Sequence, residues 1–151
     1  MRFHTENEFD NFDFRESYLQ GIVQMSGSFR ATIDQVKIKP ENSKNRDIRM
    51  MRTNNLELHI ADAVVTSIVE EGIKIYNADE VLQQEIPDRV LDESEYTDLY
   101  QSLEGCEIYN IEKKDGTYLF LIDGEERSYL IHVQGSGDTQ DWDRFMNLEQ
   151  M

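Results

Sequence analysis

The stretch KKDGTYLFLIDGEERSYLIHV, residues 113–133, indicates the fold class of the chain. It holds two Asp-Gly pairs eight positions apart, and each pair is followed by a strand-like run. Asp115-Gly116 is typical of a two-residue type I′ hairpin turn, in which both central residues need a positive φ. Asp123-Gly124, followed by two glutamates, predicts a slightly longer hairpin loop. The stretch therefore predicts antiparallel strands that fold back on one another.

The strand between these two turns is apolar on both of its faces. Tyr118, Phe120 and Ile122 point one way. Leu119 and Leu121 point the other way, because successive side chains of a strand alternate. A strand of this kind is covered on both faces. We expect a helix on one side and the rest of the β core on the other, so the ribbon is predicted as core and its turns as geometry rather than as a site.

Working outward, short strands separated by turn residues occupy most of the chain before this ribbon. The predicted strands span residues 17–25, 28–39, 48–51, 56–60, 63–69, 73–77, 80–86 and 106–112. The apolar phase slips within the second of them, which predicts a bulge near Asp34-Gln35.

Two segments carry a helical pattern. The apolar residues Tyr96, Leu99, Tyr100 and Leu103 are spaced at i, i+3, i+4 and i+7. This spacing predicts a helix near residues 93–104, with Asp92 or Ser94 as its N-terminal cap. Further on, Asp138 is a candidate cap for a short C-terminal helix. That helix carries Trp142, Phe145 and Met146 on one face.

Together these patterns predict a mainly β fold, a β-rich α+β domain of about ten short strands with hairpin-length connections. The strands form an antiparallel barrel or a sandwich, and the sequence leaves both open. Residues 1–14 are predicted as a flexible N-terminal segment, or as one edge strand at 12–14. Residues 15–151 are predicted as a single domain, since two prolines and eight glycines leave no Pro- or Gly-rich linker.

The charge of the chain restricts its partners. Fifteen Lys and Arg stand against 31 Asp and Glu, a formal net charge of −16. Phosphate backbones and anionic membrane surfaces attract clustered Lys and Arg, so neither nucleic acid nor a membrane is an expected partner. A basic protein is attracted by this negative charge, and it associates faster at low salt. General solubility is the alternative explanation of so acidic a composition.

The sequence also predicts a cytoplasmic location. No apolar run approaches the ~20 residues that span a bilayer. The first residues, MRFHTENEFDNFDF, lack the positive start and the apolar stretch of a signal peptide. The single cysteine, Cys106, cannot form an internal disulfide, so nothing indicates an oxidising compartment.

No motif specifies a catalytic residue, a metal site or a cofactor, and we predict none. The three histidines, His4, His59 and His132, are far apart in the sequence, and His59 shares a strand face with Glu57, which gives two metal ligands at most. Structural zinc needs four ligands and catalytic zinc three. Cys106 follows a helix C-terminus and precedes a glutamate, and both raise the pKa of a thiol, which is unfavourable for a nucleophile.

Charge is segregated along the chain. Residues 37–52 hold six Lys and Arg against two acids, a net charge of +4, whereas residues 79–112 hold eleven acids against one arginine, a net charge of −10. The two segments neutralise each other if they lie together and form two charged surfaces if they lie apart. The candidate binding residues are Lys44, Arg46 and Arg49 of the loop KPENSKNRD, and Asp88, Asp92, Glu93, Glu95 and Asp98 around the first helix.

Three functions from different classes fit these observations. The leading hypothesis is a non-enzymatic cytoplasmic binding domain, a protein-interaction or regulatory, immunity-type module that binds a basic protein through an acidic surface. The alternatives are a small-molecule-binding β-barrel and a carboxylate- or cation-dependent enzyme that brings acids together with His59 or His132. Edge strands at 12–14 and 80–86 also allow pairing into a homodimer.

Overall fold

The computed structural model describes residues 1–148 and has 57% strand and 9% helix, which confirms the predicted mainly β fold. In chain order the strands are β1 (Phe3–Glu6), β2 (Phe12–Asp13), β3 (Ser17–Met25), β4 (Gly27–Asp34), β5 (Val36–Ile38), β6 (Met51–Thr53), β7 (Leu56–Glu70), β8 (Ile73–Tyr76), β9 (Leu82–Ile86), β10 (Arg89–Val90), β11 (Glu107–Lys114), β12 (Thr117–Asp123), β13 (Ser128–Gln134), β14 (Gly137–Trp142) and β15 (Met146–Asn147). The helix α1 (Tyr96–Ser102) continues from a 3-10 turn at Glu93–Glu95, inside the predicted helical region, and a second 3-10 turn lies at Phe9–Asn11. Within residues 1–148, no helix has the length and apolar character needed to cross a membrane.

Six strands pair edge to edge into a closed ring. The order is β7, β13, β12, β11, β3, β4 and back to β7, and every pairing is antiparallel. Of the two alternatives that the sequence left open, the structure thus has the barrel. The hairpin turn between β11 and β12 has the predicted geometry, because Asp115 and Gly116 both have a positive φ, 51° and 77°.

The ring closes because β7 is long enough to serve two sets of neighbours. One edge of β7 pairs with β4 at residues 56–63, and the other edge pairs with β14 and then β13. The sequence predicts two separate strands here, but the structure joins them through a bulge at Asp62, whose φ is 51°. A short polar side chain tolerates this left-handed conformation better than an apolar one does. The bulge shifts the buried positions from Ile60 to Ala63, so both halves of the strand keep an apolar face toward the core.

Side chains fill the interior of the ring. Phe29 and Phe120 have no exposed area, and their ring centroids lie 5.2 Å apart. Tyr100 of α1 packs edge-on against Phe29, so the helix covers part of this aromatic cluster. Burying one large apolar side chain contributes about 1.5–3 kcal/mol. The opposite face of β12 is only half-buried at Leu119 and Leu121, so the predicted cover on both faces of this strand is partial.

Two smaller sheets flank the ring. The first contains four strands in the order β15, β6, β5, β2, and the second is the two-stranded hairpin β8–β9. The predicted bulge near Asp34-Gln35 is the point where β4 leaves the ring and β5 enters the four-stranded sheet, and Gln35 has a positive φ of 57°.

The predicted C-terminal helix is wrong. Gly137–Trp142 form β14, which lies between β1 and β7, and Met146–Asn147 form β15. The side chain of Asp138 is not a helix cap but is buried, and it accepts hydrogen bonds from the Tyr118 hydroxyl at 2.5 Å and Lys113 Nζ at 2.9 Å. The buried positions of β14 follow a period of two, at Asp138, Gln140 and Trp142. Two of these three residues are polar, so the hydrophobic pattern of a strand is hidden in the sequence.

The structure places the N-terminal residues, which the sequence predicts as flexible, against the core. β1 pairs with β14, and the Thr5 hydroxyl donates a hydrogen bond to Gln140 Oε1 at 2.6 Å. Phe9, Phe12 and Phe14 are buried, and β2 lies within the predicted edge strand. The domain boundary at residue 15 stays a prediction, with buried side chains of one hydrophobic cluster on both sides of it.

Candidate functional site

Two of the predicted acidic residues form the start of the helical region. Asp92 Oδ2 accepts hydrogen bonds from the backbone N of Ser94 at 3.1 Å and from its hydroxyl at 2.6 Å. Glu95 in turn accepts a hydrogen bond from the backbone N of Asp92 at 2.8 Å, which completes a capping box. These bonds hold the pKa of both carboxyl groups below their usual values, and Arg89 lowers that of Glu95 further. Both carboxylates are therefore ionised but already engaged.

Of the other three predicted acids, one forms a structural hydrogen bond and two are exposed to solvent. Asp88 accepts a hydrogen bond from the backbone N of Gly72 at 2.6 Å and so ties together the two ends of the β8–β9 hairpin. Glu93 and Asp98 are exposed, and within residues 1–148 their side chains make no hydrogen bond or ion pair. Of the acidic set, these two carboxylates remain available to a partner.

A groove of about 680 Å³ lies between α1 and the β3–β4 hairpin. Its lining includes the apolar side chains of Val23, Met25 and Val64, which are 47%, 65% and 60% exposed. Glu93 and Glu104 add carboxylates to the same lining. The groove therefore combines uncovered apolar surface with negative charge.

One hydrogen bond ties the helix to the hairpin inside this groove. The hydroxyl of Tyr100 donates to Gln24 Oε1 at 2.6 Å, and burial raises the pKa of Tyr100 well above its ordinary value. The hydroxyl is therefore a hydrogen-bond donor across the physiological range.

An open strand edge adjoins the groove. β4 pairs with β7 as far as Ala63, and β10 begins to pair on the same edge only at Val69. Residues 64–67 lie between them, and no strand of the described residues 1–148 pairs with them on this edge, while their other edge faces β13. Leu91 closes the far end of the gap, since its backbone N donates to the carbonyl of Ile68 at 2.9 Å. An exposed strand edge is a template for pairing with another chain.

The predicted basic residues lie in a loop on a different part of the chain's surface. Lys44 and Arg46 line a second pocket, whereas Arg49 pairs with Asp47 at 3.3 Å. Within residues 1–148 no ion pair joins the basic segment 37–52 to the acidic segment 79–112. The two segments thus do not neutralise each other through direct contacts.

The β8–β9 hairpin is an exposed arm. Within residues 1–148 its strands pair only with each other, and Ile75, Tyr76 and Leu82 are 46%, 54% and 44% exposed. An isolated two-stranded hairpin is at most marginally stable in water. Both β9 and β2 stand at the end of a sheet, so the homodimer through these strands stays a prediction.

The histidines and the cysteine are dispersed. His59 Nε2 lies 2.8 Å from the Ser28 hydroxyl, and His132 Nδ1 lies 3.2 Å from the Ser67 hydroxyl. Among the described residues no group of three or more His, Cys, Asp or Glu could hold a metal ion. Burial raises the pKa of Cys106, which is half-buried. The direction is the one that the sequence predicts, but the causes are burial and the charge of Glu125 rather than the helix end and Glu107.

Sequence reasoning missed the groove and the open edge. The one available signal was the adjacent pair Val64-Val65, because neighbouring residues of a strand face opposite sides and one of the two valines must face away from the core. Comparison with protein families, with curated proteins and with solved structures finds no match for this chain.

Proposed function

We propose that the chain is a protein-interaction domain whose groove beside α1 binds an extended, basic segment of a partner protein. The observation that carries this proposal is the meeting of an open strand edge, exposed apolar side chains and carboxylates in one groove. In β-strand addition, main-chain hydrogen bonds supply affinity and alternate side chains supply specificity. A segment that alternates Lys or Arg with apolar residues has the matching chemistry.

The dimensions of the site fit a short segment. The open edge covers residues 64–67, which spans about 13 Å at ~3.3 Å per residue. Val23, Met25 and Val64 offer apolar contacts, and Glu93 and Glu104 offer charge. The net charge of −16 attracts a basic segment from beyond contact distance.

The two alternative functions have less support. A small-molecule carrier needs an interior cavity, but Phe29, Tyr118 and Phe120 fill the ring and have no exposed area. An enzyme of the expected type needs acids beside His59 or His132, and both of these histidines face a serine hydroxyl.

The test uses synthetic peptides and isolated protein. The probe is an acetylated, amidated hexapeptide of alternating Lys and Val, and binding is measured by NMR chemical-shift perturbation at low and high salt. We expect saturable binding that weakens strongly at high salt, because screening shortens the range of charge interactions to about 3 Å at 1 M. The double variant Glu93→Gln/Glu104→Gln weakens binding roughly three- to tenfold. The control variant Glu41→Gln/Glu126→Gln, which removes two exposed acids outside the groove, leaves it unchanged.

Backbone methylation tests the strand-addition mode. Two versions of the peptide carry N-methyl groups at odd or at even positions, so that each lacks the amide donors of one edge. We expect one version to lose binding and the other to retain it. The proposal is contradicted if the two methylated versions bind equally well. It is also contradicted if a Glu-Val hexapeptide binds as well as the Lys-Val peptide.

A further inference from the structure

The basic loop contributes to a second pocket, and the chemistry of this pocket differs from that of the groove. Its volume is about 630 Å³, within the range of ~300–1,000 Å³ that is typical of small-molecule sites. Phe3, Met51 and Phe145 form the apolar part of the lining, and Lys44 and Arg46 form the cationic part. Asp47 also lines the pocket, but its carboxylate is paired with Arg49. The pocket thus presents an apolar surface next to positive charge.

The apolar wall rests on a packed aromatic cluster. The ring centroids of Phe3 and Phe145 lie 4.8 Å apart, and both rings contact the fully buried Trp142, at 5.7 Å and 5.6 Å. Ile48 of the loop also lines the pocket, and 92% of its surface is exposed. Contact with an apolar ligand would bury this surface, which is energetically favourable. Trp142 is the only tryptophan, so its fluorescence reports on this wall.

Two cations line the pocket, and a third lies close to one of its lining residues. Lys44 and Arg46 are exposed, and neither forms an ion pair within residues 1–148. The guanidinium carbon of Arg2 lies 5.6 Å from the centroid of the Phe3 ring, which lines the pocket. A ligand that reaches the apolar wall therefore meets positive charge.

The acids near the loop are already engaged by the protein. Asp47 accepts hydrogen bonds from the backbone N and the side chain of Arg49, at 3.0 and 3.3 Å. Glu8 accepts hydrogen bonds from the backbone N of Ser43 at 2.8 Å and from its hydroxyl. Burial raises the pKa of Glu8, but the bonds from Ser43 and the charge of Lys44 outweigh this effect and leave the pKa below its usual value. Neither carboxylate is an unpaired charge facing an incoming anion.

The loop that carries the cations is held in one shape by the buried amide of Asn45. Asn45 Nδ2 lies 3.2 Å from the carbonyl oxygens of Ile38, Lys39 and Arg49. Asn45 Oδ1 accepts a hydrogen bond from the backbone N of Asp47 at 2.9 Å. Preorganised cations lose less conformational freedom on binding than those of a mobile loop.

We propose that this pocket binds a small amphiphilic carboxylate, whose anionic head contacts Lys44 and Arg46 and whose apolar body lies on Phe3, Met51 and Phe145. A single anionic head matches the cations of the pocket. A purely polar anion would leave the larger apolar wall uncovered, whereas an apolar body covers it. The site is independent of the acidic groove.

The experiment titrates isolated protein with dodecanoate and follows the fluorescence of Trp142. Two matched probes separate the contributions of head and body: dodecyltrimethylammonium keeps the chain and reverses the charge, and acetate keeps the head without the chain. We expect dodecanoate to bind with a saturable change in emission, and to bind at least tenfold tighter than either matched probe. Equal binding of the cationic amphiphile overturns the proposal, since the site is then apolar without selectivity for anions.

Variants locate the binding site. Lys44→Met/Arg46→Met weakens dodecanoate binding at least tenfold, whereas the control Lys114→Met, which removes an exposed cation of β11, leaves binding unchanged. Circular dichroism checks that each variant is folded. If both variants weaken dodecanoate binding equally, the assignment to this pocket is wrong. The proposal also fails if the protein binds phosphatidylglycerol vesicles but not free dodecanoate.

Discussion

Replacement of Asn45 by alanine tests whether the basic loop is a rigid, built element. The side chain is 9% exposed, and its two amide hydrogens are shared among three carbonyl oxygens of the loop and the end of β5. Its oxygen accepts one further backbone hydrogen bond, from Asp47. Asn45→Ala thus removes about three hydrogen bonds and leaves buried backbone groups without partners.

The expected cost follows from these contacts. A protein hydrogen bond contributes about 1 kcal/mol net, and a buried group that loses its partner costs ~1–3 kcal/mol. Water can reach Lys39 and Arg49, which are less buried than Ile38, and this reduces the penalty. We expect Asn45→Ala to lower the free energy of unfolding by about 2–3 kcal/mol.

Asn77 provides a matched control in the exposed arm. Its Oδ1 accepts hydrogen bonds from the backbone N of Asp79 at 2.9 Å and of Val81 at 3.0 Å, but all three residues are exposed. Water replaces these bonds, so Asn77→Ala changes the free energy of unfolding by no more than ~0.5 kcal/mol. Urea unfolding followed by Trp142 fluorescence measures both variants. If Asn45→Ala costs no more than Asn77→Ala, the buried amide does not hold the loop and the reasoning fails.

Three further predictions concern other parts of the structure. Replacing residues 73–86 by a short Gly-Ser linker changes the free energy of unfolding by less than about 1 kcal/mol in urea unfolding, since the arm pairs only with itself within residues 1–148. The pKa of His4 is raised above 6.5, mainly by the hydrogen bond to Asp141. Protonated His4 therefore stabilises the folded state fully below pH 6.5, and this stabilisation is lost as the pH rises through the pKa of His4 in the folded protein. Urea unfolding at pH 5.5 and 8 therefore shows a larger loss of stability in the parent protein than in His4→Gln. Tyr100→Phe removes the hydrogen bond to Gln24 and lowers the free energy of unfolding by about 1 kcal/mol, measured by thermal unfolding, while its ring packing is retained.

The hairpins of the fold were predictable because their information is local. A type I′ turn needs two residues with positive φ, and Asp115-Gly116 specifies it without reference to the rest of the chain. β3 likewise has the predicted bounds, since its alternation is visible within nine residues. The helical region was predictable for the same reason, since its capping box lies within Asp92–Glu95.

β14 was not predictable because its polarity depends on distant partners. Asp138 and Gln140 are buried, and they form hydrogen bonds with one another and with Thr5, Lys113 and Tyr118. Each of the latter three partners lies on another strand, at least 20 residues away in the sequence. Without those partners, an aspartate before a tryptophan has the appearance of a helix cap. Burying these groups is favourable only because each one finds a partner.

The candidate sites divide in the same way. The loop with Lys44 and Arg46 was predictable as a charged surface, but the apolar wall that makes it a pocket comes from Phe3 and Phe145, at opposite ends of the chain. The groove depends on where β4 stops and β10 begins along β7, which is a property of strand register. Register over long sequence separations is not visible in local periodicity.

The groove and the pocket carry opposite charges, so the two binding reactions are expected to depend differently on ionic strength. The groove draws on both its own carboxylates and the net charge of −16, so screening removes short- and long-range attraction together. An anion approaching Lys44 and Arg46 is attracted by the loop but repelled by the rest of the molecule. Added salt screens this repulsion as well, so the two effects partly cancel. We therefore expect the affinity of the Lys-Val peptide to fall steeply with salt and that of dodecanoate to change much less. A dodecanoate affinity that falls as steeply as that of the peptide contradicts this reasoning.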